Sequence, residues 1–170
     1  MNKRAVIITA AGFQDEELIY PYYRLLEAGF TVDIATKDGA VVYGKYGVPA
    51  RANIGTDKLD ANHYDLVLLP GGFEAPDRVR LLPEVLDFVR KMDEKKKCVA
   101  AICHGPWILI SAGVTKGRKM TAYWSIEADV RNSGADYQHK VPVVVDGNMI
   151  TSPHYNNNGD FMRAVVNYFL

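Results

Sequence analysis

Cys103 and His104 stand side by side in VAAICHGP, where an apolar run gives way to turn residues. A thiolate is a strong nucleophile, and an imidazole beside it can take the thiol proton or protonate a leaving group. The strand-like run before the cysteine and the helix-like WILISAG after it have the layout of a nucleophile elbow, a sharp turn that projects one side chain from a sheet. Such a turn wants small residues two positions before and after the nucleophile, and Ala101 and Gly105 supply them. A helix start beneath the sulfur favours the thiolate, and N–H groups there can hold an oxyanion. The second cysteine, Cys98, opens the same strand without a polar neighbour and reads as core. At the rise of a strand the two thiols lie roughly 16 Å apart, too far for a disulfide. Two unpaired thiols suit a reducing cytoplasm.

Holding that turn in place requires a sheet. Apolar, β-branched runs at Ala5–Thr9, Thr31–Thr36, Asp65–Leu69 and Cys98–Cys103 read as buried strands, and Lys119–Ala122 and Val141–Val145 add two more. Residues 41–54, with Gly44, Gly47 and Pro49, read as an irregular β excursion. Asp146-Gly147 reads as a hairpin turn. Between the strands come helical patterns. The first places Leu18, Ile19, Tyr22, Leu25 and Leu26 on one face and ends at Gly29, with Pro21 predicting a kink or a frayed first turn. Pro83 opens another, with Val85, Leu86, Val89 and Met92 inward. His104–Ala112, a helix capped by Ser125 and running to Asn132, and Phe161–Leu170 complete the set. Alternating βα units predict a single α/β domain over residues 1–170, a flavodoxin-like three-layer α/β/α sandwich with a mainly parallel central sheet. Ligands bind such sheets outside the carboxyl ends of the strands. Three segments meet that description: Gly12–Glu17, Pro70–Asp77 and Cys103–Pro106.

Composition narrows the function classes. Lys plus Arg and Asp plus Glu both number 20, which argues against a surface that tracks nucleic-acid phosphates. The one basic run, Lys95–Lys97, reads as a solvated helix end. No apolar run is long enough to span a bilayer, and Ala5–Ala11 is too short for a secretory signal, so a cytoplasmic location is expected. No Cys/His cluster has zinc-ligand spacing, and neither a phosphate loop nor a dinucleotide fingerprint occurs. No metal or other cofactor is therefore expected.

Four blocks, GFQDEELIYP, LLPGG, AICHGP and ISAGVTKGRKMTAY, occur in this order along nearly the whole chain, which thereby resembles the ThiJ/PfpI family. The similarity is to its branch of short archaeal and bacterial proteins described as intracellular cysteine peptidases. The resemblance implies Cys103 as nucleophile, His104 as base and Glu17 against the sulfur. It implies an oxyanion site made by an amide of the Gly71-Gly72 pair together with that of His104. It also implies that Asp77, where the family prototype carries glutamate, serves the histidine of a neighbouring subunit in a dimer or a hexameric ring. Trp107 stands where a glutamine is usual, and SPHYNNNGDF replaces an arginine- and proline-containing stretch. Trp107, Trp124 and His154 are the candidates for lining a substrate pocket. Three activities are implied. One is hydrolysis of a peptide or related carbonyl compound, and another is cofactor-free glyoxalase or deglycase chemistry on methylglyoxal or its adducts. The last is a redox-sensing chaperone with an oxidisable Cys103.

Overall fold

The computed structural model describes residues 2–170. In chain order its elements are β1 (Arg4–Ile8), α1 (Asp15–Glu27), β2 (Thr31–Thr36), β3 (Val42–Tyr43), β4 (Pro49–Ala50), β5 (Ile54–Gly55), β6 (Leu66–Leu69), α2 (Glu74–Val79) and α3 (Pro83–Glu94). There follow β7 (Cys98–Ile102), α4 (Pro106–Ala112), β8 (Lys119–Met120), α5 (Glu127–Asn132), β9 (Asp136–Tyr137), β10 (Val144–Asp146), β11 (Met149–Ser152) and α6 (Asn158–Asn167). Seven strands form the central sheet in the order β10-β11-β7-β6-β1-β2-β5. Every neighbouring pair is parallel except β10 with β11, whose Asp146 faces Met149 across the turn at Gly147-Asn148.

Both faces of the sheet are covered. Ala5 and Ile7, Leu66 and Leu68, and Ala100 and Ile102 point to the side packed by α1 and α6. Val6 and Ile8, Val67 and Leu69, and Val99 and Ala101 point to the side packed by α3 and α4. This period-two split explains why the strands read as continuous apolar runs. Each large aliphatic side chain buried this way contributes about 1.5–3 kcal/mol. The α/β/α sandwich expected from the sequence is the fold observed. Among the described residues no helix is long and apolar enough to cross a membrane.

Several local expectations need correction. In α1 the buried positions are Asp15, Glu17, Leu18, Pro21 and Leu25, whereas Ile19 and Leu26 are each 41% exposed. The face that meets the sheet is centred on residues 18, 21 and 25, which turns residues 19, 23 and 26 outward. The helix runs unbroken from Asp15 through Pro21 with no frayed first turn. In α3 the inward face includes Phe88, and Leu86 is only partly buried. The strand expected over Lys119–Ala122 shortens to β8, which pairs with β9 outside the central sheet. α2, directly after the glycine pair, was not anticipated. α6 begins at Asn158, three residues before the expected start. Ser125 caps no helix: α5 starts after a 3-10 turn over Trp124–Ile126, and the serine hydroxyl is used elsewhere.

β7, β6 and β1 are neighbours, so the segments that follow them meet at one edge of the sheet. β1 lies where the connections change direction, with β2 on one side and β6 on the other, and this is where open α/β sheets form their ligand crevice. The turn from β7 into α4 is the tightest of these connections. A Cβ at Gly105 would strike the Leu69 carbonyl oxygen and lie 2.9 Å from that of Ile102. Gly105→Ala is therefore expected to lower the unfolding free energy by about 2 kcal/mol or more. Urea unfolding of the two proteins checks this, and equal midpoints would contradict the packing described.

Candidate active site

Cys103 has φ +61°, a left-handed conformation that a residue with a Cβ adopts at a cost of about 1–3 kcal/mol. Two hydrogen bonds hold it there: the Cys103 N–H donates to Ser152 O at 2.9 Å, and the Tyr123 N–H donates to Cys103 O at 2.9 Å. The strained turn aims Sγ into a cavity of about 400 Å³. The residue is only 7% exposed. Cys98, at the other end of β7, is fully buried, and burial pushes its thiol up to about 12, which leaves it unreactive.

The floor of the site is a buried acid. Glu17 is 0% exposed, and Oε2 accepts the Gly71 N–H at 2.7 Å. Its other oxygen, Oε1, has no hydrogen-bond partner among the described residues, and the carboxyl lies against the Cys103 thiol. Burial raises the Glu17 carboxyl from 4.5 to about 8, against the pull of the Gly71 N–H. Burial likewise pushes the Cys103 thiol up, and the charge of an ionised Glu17 adds to this. The N–H groups of Gly72 and His104, both facing the sulfur, oppose it. Neither N–H has a backbone acceptor. Two such groups in contact titrate as a pair. When one proton remains on the pair, moving it from sulfur to Glu17 makes a thiolate without adding a second charge to the buried site.

His104 is nearly buried, and its Nδ1 lies 3.2 Å from Cys103 Sγ. Nε2 meets Ser125 Oγ at 3.3 Å. The ring stacks on Tyr123 at 5.0 Å and takes the edge of Trp107 at 5.0 Å. Burial lowers the imidazole to about 4, with the Asp129 carboxylate opposing, so the ring is neutral near pH 7. If Nε2–H donates to the serine, Nδ1 presents its lone pair to the sulfur.

Of the residues singled out in the sequence, Cys103, His104, Glu17, Gly71 and Gly72 come together here. The glycine pair divides its work. The Gly71 amide is spent on Glu17, and a Cβ there would sit 2.6 Å from Cys103 Cβ, so Gly72 alone supplies an oxyanion donor beside His104. Gly72 has φ +75°, and a Cβ on it would meet Gly12 O and Gln14 N at 2.7 Å. His154 lines the cavity, with Nδ1 accepting the Asn156 N–H. Trp124 does not: it is 49% exposed and stacks on Tyr123 and His154 behind the lining. Trp107 also stands outside the cavity. Its Nε1 donates to Asp129 at 2.9 Å and Arg80 covers its ring, so it buttresses His104 rather than a ligand. Asp77 is exposed on α2, and within the chain no hydrogen bond or ion pair joins it to His104.

Gln14 and Phe73 complete the lining from two of the three segments expected at the strand ends, whereas Lys45 and Tyr46 from the β3–β4 turn, Tyr123, Ser125 and Tyr155 had not been singled out. The β3–β4 turn had one legible signal, a cation between glycines in GKYG. Asp15 fixes this turn from the first turn of α1, accepting the N–H groups of Tyr46 at 2.9 Å and Val48 at 2.8 Å. Among the described residues no group of three or more His, Cys, Asp or Glu side chains is placed to hold a metal ion.

Comparison with known proteins agrees with this architecture. The model of the DJ-1/PfpI family matches residues 3–168. Deglycase PfpI of Pyrococcus furiosus is 44% identical over 163 residues, which are 96% of this chain and 97% of that protein. YraA of Bacillus subtilis, whose name conjectures a cysteine protease, is 36% identical over 168 residues, 98% of each chain. A two-domain protein of Anabaena variabilis with DJ-1/ThiJ/PfpI-like and ferritin-like domains superimposes with a TM-score of 0.95 at 35% identity. That match covers 99% of this chain and 48% of the other, so this chain spans about half the length of that protein. With the family match running nearly end to end over a parallel sheet that carries a cysteine elbow, the chain belongs to the DJ-1/PfpI family.

Proposed function

We infer that the protein is a cysteine-dependent enzyme of small carbonyl compounds, acting on oxoaldehydes such as methylglyoxal and on their amine adducts. The observation that carries this reading is the surround of Cys103 Sγ: a buried proton-holding carboxyl on one side, a neutral imidazole at 3.2 Å, and two free N–H groups. These are the parts needed to add a thiolate to a carbonyl and hold the oxygen that becomes negative. A relative named as a deglycase, 44% identical, supports the substrate class. The size of the cavity, about 400 Å³, favours a small molecule over the extended chain a peptidase must seat. In this reading the resemblance also supplies a dimer in which Asp77 approaches the His104 of a neighbouring copy.

The chemistry follows from the positions. The thiolate attacks the aldehyde carbon, and its oxygen takes a proton from Glu17 to give a hemithioacetal. His104 Nδ1 removes the proton on that carbon and returns it to the adjacent carbon, while the hydroxyl proton passes to the former ketone oxygen, which leaves a hydroxyacyl thioester. Water then splits the thioester to a hydroxy acid and regenerates the thiol. From a hemiaminal the thiolate displaces the amine, which departs with a proton, and the remaining steps are the same.

Purified protein given methylglyoxal should form lactate, and Cys103→Ala should lower the rate about a thousandfold or more. Casein and a fluorogenic peptide, run alongside, should show no turnover that depends on Cys103. Equal activity of the two proteins on every substrate would end the enzyme reading.

The shared proton has its own signature. Alkylation of Cys103 by iodoacetamide should rise with pH along a single limb near 8, where the pair loses its first proton, with no histidine limb near 6.5 because burial holds His104 near 4. Glu17→Gln deprives the sulfur of its internal proton acceptor, so the limb should move upward and the rate near pH 7 should fall about tenfold or more. Profiles that superimpose would show that Glu17 does not govern the thiol.

A further inference from the structure

Within a single chain the lining of the cavity holds one lysine and no carboxylate. Lys45 lines the wall formed by the β3–β4 turn, while Gln14, Phe73, Tyr123, Ser125 and His154 supply other parts of the surface. Glu16 is the acid near the mouth, and Gln14 Nε2 already binds it at 2.7 Å. The two histidines of the lining add no charge near neutral pH, since burial holds both below their ordinary value. Lys45 is therefore the cation that an entering molecule meets, and it makes no ion pair with any described residue.

The turn that carries Lys45 is built rather than loose. Its Lys45 N–H donates to Phe13 O at 2.8 Å, and the Gly44 N–H donates to Val48 O at 2.8 Å. Asp15, 6% exposed, takes the N–H groups of Tyr46 and Val48 from below. A Cβ on Gly44 would collide with the Asp15 carboxylate, so glycine is required for this approach. The same segment that ends in Glu17 thus holds both the acid under the sulfur and the backbone of the turn that carries Lys45. The backbone of the turn is held, while the Lys45 side chain is exposed, with its ammonium 5.7 Å from the centre of the Tyr46 ring. A cation without a carboxylate partner at the edge of a partly enclosed site attracts anions. It also offsets the repulsion between a thiolate and an anionic molecule that approaches it.

We propose that Lys45 forms an anion subsite, so that the preferred carbonyl substrates carry a carboxylate or phosphate group. This rests on the reading of Cys103 as the carbonyl nucleophile, and it names the substrate class of that site. Asp15 is the positioning residue of the subsite and touches no substrate.

The test uses a pair of reagents that differ in charge and hardly in shape, iodoacetate and iodoacetamide. Either one alkylates Cys103 with loss of iodide, whatever the natural reaction is. The ratio of the iodoacetate rate to the iodoacetamide rate cancels changes in thiolate fraction. It should fall about fivefold in Lys45→Gln and persist in Lys45→Arg, the size expected of one partly screened charge pair. It should also fall in wild type at about 1 M KCl, where the screening length is about 3 Å. Acetate and inorganic phosphate, added as separate competitors, should slow the iodoacetate reaction of the wild type. The stronger protector tells whether the subsite takes carboxylates or phosphates. A ratio unchanged in Lys45→Gln, or an iodoacetate rate indifferent to both anions, would overturn the proposal. A protein that shows the predicted ratios yet makes no lactate from methylglyoxal would keep the anion subsite and lose the oxoaldehyde reading.

Discussion

The carboxyl of Glu17 has no exposure to solvent, lies against the Cys103 thiol, and has one oxygen tied to the Gly71 N–H and the other without a hydrogen-bond partner among the described residues. An ionised carboxylate in such a place is unfavourable unless compensated, and a single N–H does not compensate it. The acid therefore keeps its proton to about pH 8. That constraint organises the site. It makes Glu17 a proton store, it allows the sulfur to ionise without creating a second buried charge, and it leaves the amides of Gly72 and His104 facing the place where charge develops.

The sheet exists, in this view, to hold three strand ends in register. β7 delivers the strained cysteine, β6 delivers the glycine pair, and β1 delivers the segment that becomes α1. Glycine is needed where these approach most closely. Side chains at residues 71 and 72 would overlap the cysteine or the segment after β1, and one at residue 105 would overlap the β6 strand end. Folding stability is spent on this arrangement: a left-handed cysteine and a buried acid both oppose folding, and the two-sided apolar packing of the strands outweighs them. The hydrogen bonds that Cys103 donates to Ser152 and accepts from Tyr123 show that the elbow is fixed by two further segments, one ending β11 and one following β8.

Much of this was legible in the sequence for identifiable reasons. A parallel, doubly covered sheet writes continuous apolar runs, and an elbow writes a small residue, a nucleophile and a glycine at a strand end. Cys103, Gly105 and the three converging loops follow from those patterns. Glu17 did not follow from pattern: an acid in the first turn of a helix is ordinary, and the resemblance to a family singled it out. Lys45 and Ser125 were missed because tertiary packing alone brings their loops to the cavity. Trp107 and Trp124 were expected in the pocket because of their place in the chain, but ring packing and the Asp129 bond turn them into a scaffold around His104 and Tyr123. The outward turn of Ile19 and Leu26 shows the same limit, since an apolar helical stripe wider than the contact face leaves its phase undetermined until the helix is docked.

The claim on which the rest depends is that Glu17 and Cys103 share a proton. Carbon-13 NMR of the Glu17 side-chain carboxyl and of Cys103 Cβ, followed from about pH 5 to pH 10, reads both groups at once. The account predicts one common transition near pH 8 in both signals, with the Glu17 carboxyl still protonated at pH 6. A Glu17 carboxyl that titrates in the ordinary glutamate range, with a cysteine signal indifferent to it, would contradict the account.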